Sequence, residues 1–253
     1  MIMTTPKDGK PTVYHAIMKA YLLLGRVNEH VHSLEASSDP DEHYREFRQL
    51  DTELSRFKLS LPRHATTLRT CPVEEAKQIV WLNAILSTAT ILLHHRPVTS
   101  EDELPQSPST EGSTASQPDT NASFEYCVSA ARNMARLIQE ATRISVDTLI
   151  NPHIGSSLYV CGKILILHTH LTKSDEVRTD IDMFLLLCDR IADVYPTLGT
   201  KFKNGMRYDL KQDAKGVRKM REDGARGMMT KCGDWAGANP QATLEKLTAA
   251  FGR

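Results

Sequence analysis

His94 and His95 stand side by side with Arg96, directly after the apolar run WLNAILSTATILL. Two imidazoles and a guanidinium together could border a metal or proton-transfer site. Their spacing argues otherwise. Adjacent residues on a helix point about 100° apart, and metal-binding helices set ligands three or four residues apart. No Glu or His stands at that spacing from His94 or His95. Pro97 stops helical continuation, so the triplet reads as a helix C-terminus, where cations complement the exposed carbonyls.

Other reactive side chains meet similar objections. His168 with His170, and His30 with His32, would share a face on a strand but diverge on a helix. Gly162-Lys163 has the last glycine and lysine of a phosphate loop. That motif also needs a glycine at position 157 and Ser or Thr at 164, where this chain has Ser157 and Ile164. Asp180 and Asp182 are two apart, hence on different faces of a helix and suited to a solvated flank. The five cysteines, Cys71, Cys127, Cys161, Cys188 and Cys232, include no C-x2-C pair. They read as free, reduced thiols and as no zinc ribbon or finger. No catalytic, cofactor-binding or metal-ligating residue is assigned from the sequence, and an enzyme is not expected.

The elements that hold these residues are helical throughout. Val13, Ile17, Ala20, Leu24, Val27 and Val31 recur at three and four and define one face. Asp39-Pro40 has the pattern of an N-cap followed by proline at the first helical position. The helix it opens places Tyr44, Phe47, Leu50, Leu54, Phe57 and Leu61 on one stripe, and Pro62 ends it. Pro72, Glu74 and Glu75 start a helix through the opening stretch. Ser123 is the expected cap of the next one, which carries Phe124, Cys127, Ala131, Met134 and Ile138. Asn151-Pro152 starts another, nearly apolar all round. Ser174-Asp175-Glu176 starts one with Ile181, Phe184, Leu185, Cys188, Ile191, Ala192 and Tyr195 inward, ended by Pro196. No segment alternates convincingly as a strand, so the expected class is all-α.

The chain has 253 residues and a formal net charge of zero, so no overall basic excess favours nucleic acid. The most apolar run, residues 79–93, is shorter than the roughly 20 residues a bilayer needs. It also carries Asn83, Ser87, Thr88 and Thr90, so a buried core helix is expected and a membrane is not. Residues 97–122 are rich in Pro, Ser and Thr and read as a disordered insertion within one domain. Residues 201–231 hold ten Lys or Arg against four Asp or Glu. The expected organisation is a helical domain over 1–203, followed by a polar, locally basic tail over 204–253.

Four stretches in order carry a family pattern: HAIMKAYLLLGRVNEHV (15–31); REFRQLDTELSRFKLSLP (45–62); the apolar helix closing in Leu92-Leu93-His94-His95-Arg96-Pro97; and Phe124-Glu125-Tyr126-Cys127 with Ala130-Ala131-Arg132. Within the second, Leu50, Asp51, Leu54, Phe57, Leu61 and Pro62 fill an LD-x-x-L-x-x-F-x-x-x-LP pattern. Together, over about residues 11–203, they resemble the regulatory, middle homology region of fungal zinc-cluster transcription factors. The resemblance implies an all-helical nuclear domain that controls transcription through protein partners or a second copy, and in some members through small-molecule effectors. It implies zinc only in a six-cysteine N-terminal cluster that this sequence lacks, so specific DNA reading by this chain alone is not expected. The alternative is a helical protein-interaction scaffold or co-regulator without DNA binding.

Overall fold

A computed structural model of the chain describes residues 12–33, 40–95 and 120–237. Eight α-helices account for most of them: α1 (Val13–Ser33), α2 (Pro40–Ser60), α3 (Ala76–His94), α4 (Thr120–Ile144), α5 (Pro152–Thr172), α6 (Arg178–Val194), α7 (Pro196–Leu210) and α8 (Ala214–Gly237). Short 3₁₀ turns at Arg63–Ala65, Leu68–Thr70, Val73–Glu75 and Val146–Leu149 join them. No strand occurs among the described residues, and the all-α class stands. Arg96, Pro97, Asp39 and most of the 97–122 insertion lie outside the described residues, though Thr120 already begins α4.

Two helices are apolar on nearly every side and take the centre. α3 packs against α1, α4 and α5. Its apolar composition and length would suit a membrane span, but its flanks are consumed by protein packing, with Ile79, Val80, Leu82, Ile91 and Leu93 all buried. α5 packs against α3 and α4 on one side and against α6, α7 and α8 on the other. The amphipathic helices bury one stripe each. On α2 this is Phe47, Leu50, Leu54 and Phe57, with Tyr44 and Leu61 only partly covered. Each such large side chain contributes about 1.5–3 kcal/mol on burial.

Local chemistry explains most boundaries. Asn151 Oδ1 accepts from the His153 amide at 3.0 Å, and Pro152 follows at the first helical position. Lys173 closes α5 in the left-handed region at φ 55°. Ser123 does not cap α4: the helix begins at Thr120, and Ser123 lies buried in its first turn. α6 starts at Arg178, a few residues after the Ser174-Asp175-Glu176 turn, whose Ser174 Oγ accepts from the Glu176 amide at 3.2 Å.

The expected inward face of α6 shifts slightly: Leu187 is buried, Leu185 is only partly covered and Tyr195 is largely exposed. Pro196 ends α6 by opening α7 at once. At that corner Gly199 lies so near α6 that an added Cβ would sit 2.4 Å from the Cys188 carbonyl oxygen and the Ala192 nitrogen. Backbone meets backbone there, and no side chain can yield.

The C-terminal segment differs most from its composition. The expected boundary at residue 203 falls inside α7, and residues 204–237 are largely helical. Met206, Met220, Ala225 and Met228 enter the core, while Arg207, Lys211, Lys215, Arg218 and Lys219 are exposed. Val217, Met220, Gly224, Ala225 and Met228 recur at three and four, a stripe hidden by the abundance of charge. Gly224, at φ 53° and ψ −150°, kinks α8 in a conformation that needs glycine.

Gly199→Ala is expected to lower stability by about 2 kcal/mol or more, since α6 and α7 must separate. Gly25→Ala, with open space around its Cβ, should be neutral or stabilising by about 0.5–1 kcal/mol. Paired urea unfolding curves check both.

Candidate functional site

His94 sits at a junction of three helices. It is the last residue of α3, and its Nε2 donates to Asp51 Oδ1 on α2 at 3.1 Å. Its ring is buried edge-on between Phe47 of α2 (5.4 Å) and Tyr126 of α4 (4.7 Å). His95 turns away from this contact. It caps α3, its ring is buried, and its carbonyl accepts from the Ala225 amide of α8 at 2.9 Å. Burial, with Lys163 and Arg221 adding positive potential, pushes its imidazole down to about 3, so it stays neutral.

Next to Asp51 and His94 a pocket of about 210 Å³ opens between α2, α3 and α4. Lys58, Thr66, Asn83, Ser87, Thr90 and Tyr126 contribute polar groups to its wall. Lys58 Nζ donates to Thr90 Oγ1, and Thr90 in turn donates to the Leu86 carbonyl at 2.7 Å. The Lys58 ammonium also lies 5.8 Å from the centre of the Tyr126 ring. Burial pulls its pKa from the ordinary 10.5 to about 8, with nearby Asp51 opposing the fall. Asn83 Nδ2 is committed to the carbonyls of Ala65 and Ile79. A partly buried amine among hydroxyls and amides can hold a small ligand with an anionic or carbonyl group. Sequence reading missed Lys58, because one lysine on a charged helix carries no local signal. Its i+1 neighbour Leu59 is the more exposed of the two.

The other candidates separate as helical geometry requires. His30 is buried and His32 exposed. His168 and His170 are both partly buried but face different partners. His168 lies 6.5 Å from the Phe124 ring, while His170 Nε2 donates to the Asp209 carbonyl at 3.1 Å. Phe124 also lies 6.3 Å from His95, so His95 and His168 border one aromatic ring. Asp182 pairs with Arg178 at 3.3 Å, and Asp180 receives Gln139 at 3.4 Å, on separate faces. The exposed cleft of about 520 Å³ beside Asp180 mixes Glu125, Arg132, Arg136 and Glu176, of which Arg132 and Glu176 pair at 2.8 Å.

Lys163 is no phosphate-loop lysine. It is buried within α5 and faces Asp209 of α7 at 3.7 Å, with both side chains only 2% exposed. Tyr159 lies 6.0 Å below its ammonium. Two charges removed from water hold each other and fix α7 against α5. Three of the cysteines do not suit a zinc cluster either. Cys127, Cys161 and Cys188 are buried on three different helices. Burial pushes Cys161 and Cys188 up to about 12 and Cys127 higher still, so none readily forms the thiolate that zinc needs.

No family model, no curated protein and no solved structure matches this chain.

For Lys58 the linkage sign follows from its lowered pKa. Between pH 8 and 10.5 the unfolded chain holds the proton that the folded chain has released. Its contribution to stability is therefore fully present above 10.5 and lost as pH falls to 8. Relative to Lys58→Met, the wild type should gain as much as about 1.4 kcal/mol per pH unit in that window, read by urea unfolding at stepped pH. For the buried pair, Asp209→Ala alone should cost about 3–5 kcal/mol, and Lys163→Met with Asp209→Leu much less. A double-mutant cycle measures the difference.

Proposed function

We propose that this chain is a regulatory domain of the fungal zinc-cluster transcription-factor type. It works in the nucleus through protein contacts and a small-molecule effector, and it does not read DNA sequence by itself. The reading rests on one observation above others. The four stretches that carry the resemblance are tied to one another by side-chain contacts. Trp81 of the third donates to Tyr21 of the first at 2.9 Å. His30 of the first meets Glu46 of the second at 2.9 Å. Asp51 of the second receives His94 of the third, and Tyr126 of the fourth packs on that same imidazole. The four stretches therefore form a connected seam of contacts through α1, α2, α3 and α4.

The Lys58 pocket lies on this seam, which makes it the place for an effector. An anionic ligand there would take the Lys58 ammonium and displace its bond to Thr90. The same ligand would touch α2, α3 and α4 together, so its binding would change how firmly they are joined.

A second reading, a protein-interaction scaffold without any transcriptional role, has its own support. Tyr14, Met18 and Leu22 stand at four-residue steps on α1 and are 52%, 54% and 70% exposed. Such an apolar stripe favours a protein partner.

Tethering separates the two readings. The full chain fused to a heterologous DNA-binding domain should change reporter transcription several-fold, and Lys58→Met should remove any response to added small carboxylates. A fusion that leaves the reporter at the level of the DNA-binding domain alone rules out the regulatory reading and leaves the scaffold. Ligand binding itself would raise stability by about 2.7 kcal/mol at a hundredfold excess over Kd, visible as a thermal shift.

A further inference from the structure

A second cluster sits at the other end of α2, roughly 18 Å along its axis from Lys58. Its residues come from two helices. His30 is buried on α1, and its Nδ1 lies 2.9 Å from Glu46 Oε2 on α2. His43 precedes Glu46 by three residues on α2, the spacing that places two ligands on one helical face. The His43 ring stacks on that of His30, with centroids 3.9 Å apart and planes within 6°. One ligand atom from each of the three residues lies within 4.8 Å of the other two.

Two imidazoles and a carboxylate form a donor set suited to borderline divalent ions, with zinc and cobalt foremost. We propose that His30, His43 and Glu46 form a binding site for a divalent transition-metal ion of the zinc class, joining the end of α1 to the first turns of α2.

The three residues have different parts. Packing holds the His30 ring in place, so one ligand is pre-oriented. Glu46 is half exposed, at 51% of its side chain, which leaves a path for the ion and room for a water ligand. His43 is the part that adjusts. Parallel rings cannot both hold one ion in their planes, so His43 tilts about its side-chain torsions when the ion binds. The ion then replaces the His30–Glu46 hydrogen bond, taking the Nδ1 and carboxylate oxygen as ligands. Cys127, Cys161 and Cys188 do not compete, being buried with raised thiols, and burial raises the thiol of the partly exposed Cys71 as well. The site uses neither the Lys58 pocket nor the His94 contact, and it shares with the proposed regulatory seam only the His30–Glu46 contact, so a metal bound or not bound there decides nothing about transcription.

The test is a titration of the full chain with cobalt(II), followed by displacement with zinc(II). Expected are one equivalent bound, a visible ligand-field spectrum without thiolate bands, and a rise in Tm of several degrees that a chelator reverses. His43→Ala and Glu46→Gln should each weaken binding by more than the roughly 10–100-fold that loss of an outer-shell partner costs. Neither residue belongs to the hydrophobic core, and circular dichroism should confirm that both variants fold. His32→Ala, on the exposed face of α1, should bind as the wild type does. Absence of cobalt binding by the wild type, or binding that both α2 variants retain, overturns the site. Binding lost only in His32→Ala assigns the ion elsewhere and overturns it equally.

Discussion

Two helices that are apolar on almost every side, α3 and α5, set the terms for the rest of the molecule. Neither can face water over much of its circumference, so each needs neighbours all around. They supply one another with part of that cover. α1 and α4 close α3, while α6, α7 and α8 close the far side of α5. The outer helices need only one apolar stripe each, and their charged sides remain in water. This accounts for the helical C-terminal segment. Without α7 and α8, buried residues of α5 such as Tyr159, Gly162 and Lys163 would lose their cover.

Burial on this scale creates polar obligations, and the way they are met gives the helices their register. The Thr88 and Ser157 hydroxyls meet at 2.9 Å between α3 and α5. Thr88 gives its proton to the Ala84 carbonyl, so Ser157 supplies the proton across the interface. Lys163 and Asp209 do for α5 and α7 what these hydroxyls do for α3 and α5, at higher cost if one partner is lost. His95 leaves part of its obligation unmet, its buried Nε2 having no hydrogen-bond partner. It gives up its charge, and its carbonyl anchors α8 just past the Gly224 kink.

The α1–α4 side of the molecule is where polar groups gather without being needed for packing alone. Asp51, His94, Tyr126 and Lys58 form a connected set beside a pocket, and His30, His43 and Glu46 form another at the far end of α2. Both sets straddle helix contacts, so occupancy of either would alter how tightly α2 is held. α2 is the more charged partner in those contacts, with a single buried stripe. Its response to a ligand is limited to small shifts that keep Phe47, Leu50, Leu54 and Phe57 buried.

The helical class, the apolar run of α3, the start of α5 at Asn151-Pro152 and the divergence of each H-x-H pair were legible in the sequence. Each is a local property: a period, a cap or the angle between neighbours on one helix. The pocket, the Lys163–Asp209 pair and the His30–His43–Glu46 cluster were not legible, since their partners on different helices lie 13 to 46 positions apart or more. No period or motif spans such distances when each contact joins two otherwise ordinary helices. Asp51 and His94 show the division most plainly. The sequence determined that each lies on a helix, one on a buried stripe's edge and one at a C-terminus. Only the packing of α2 against α3 decided that the two would hydrogen-bond, because that pairing depends on a crossing that neither helix specifies alone.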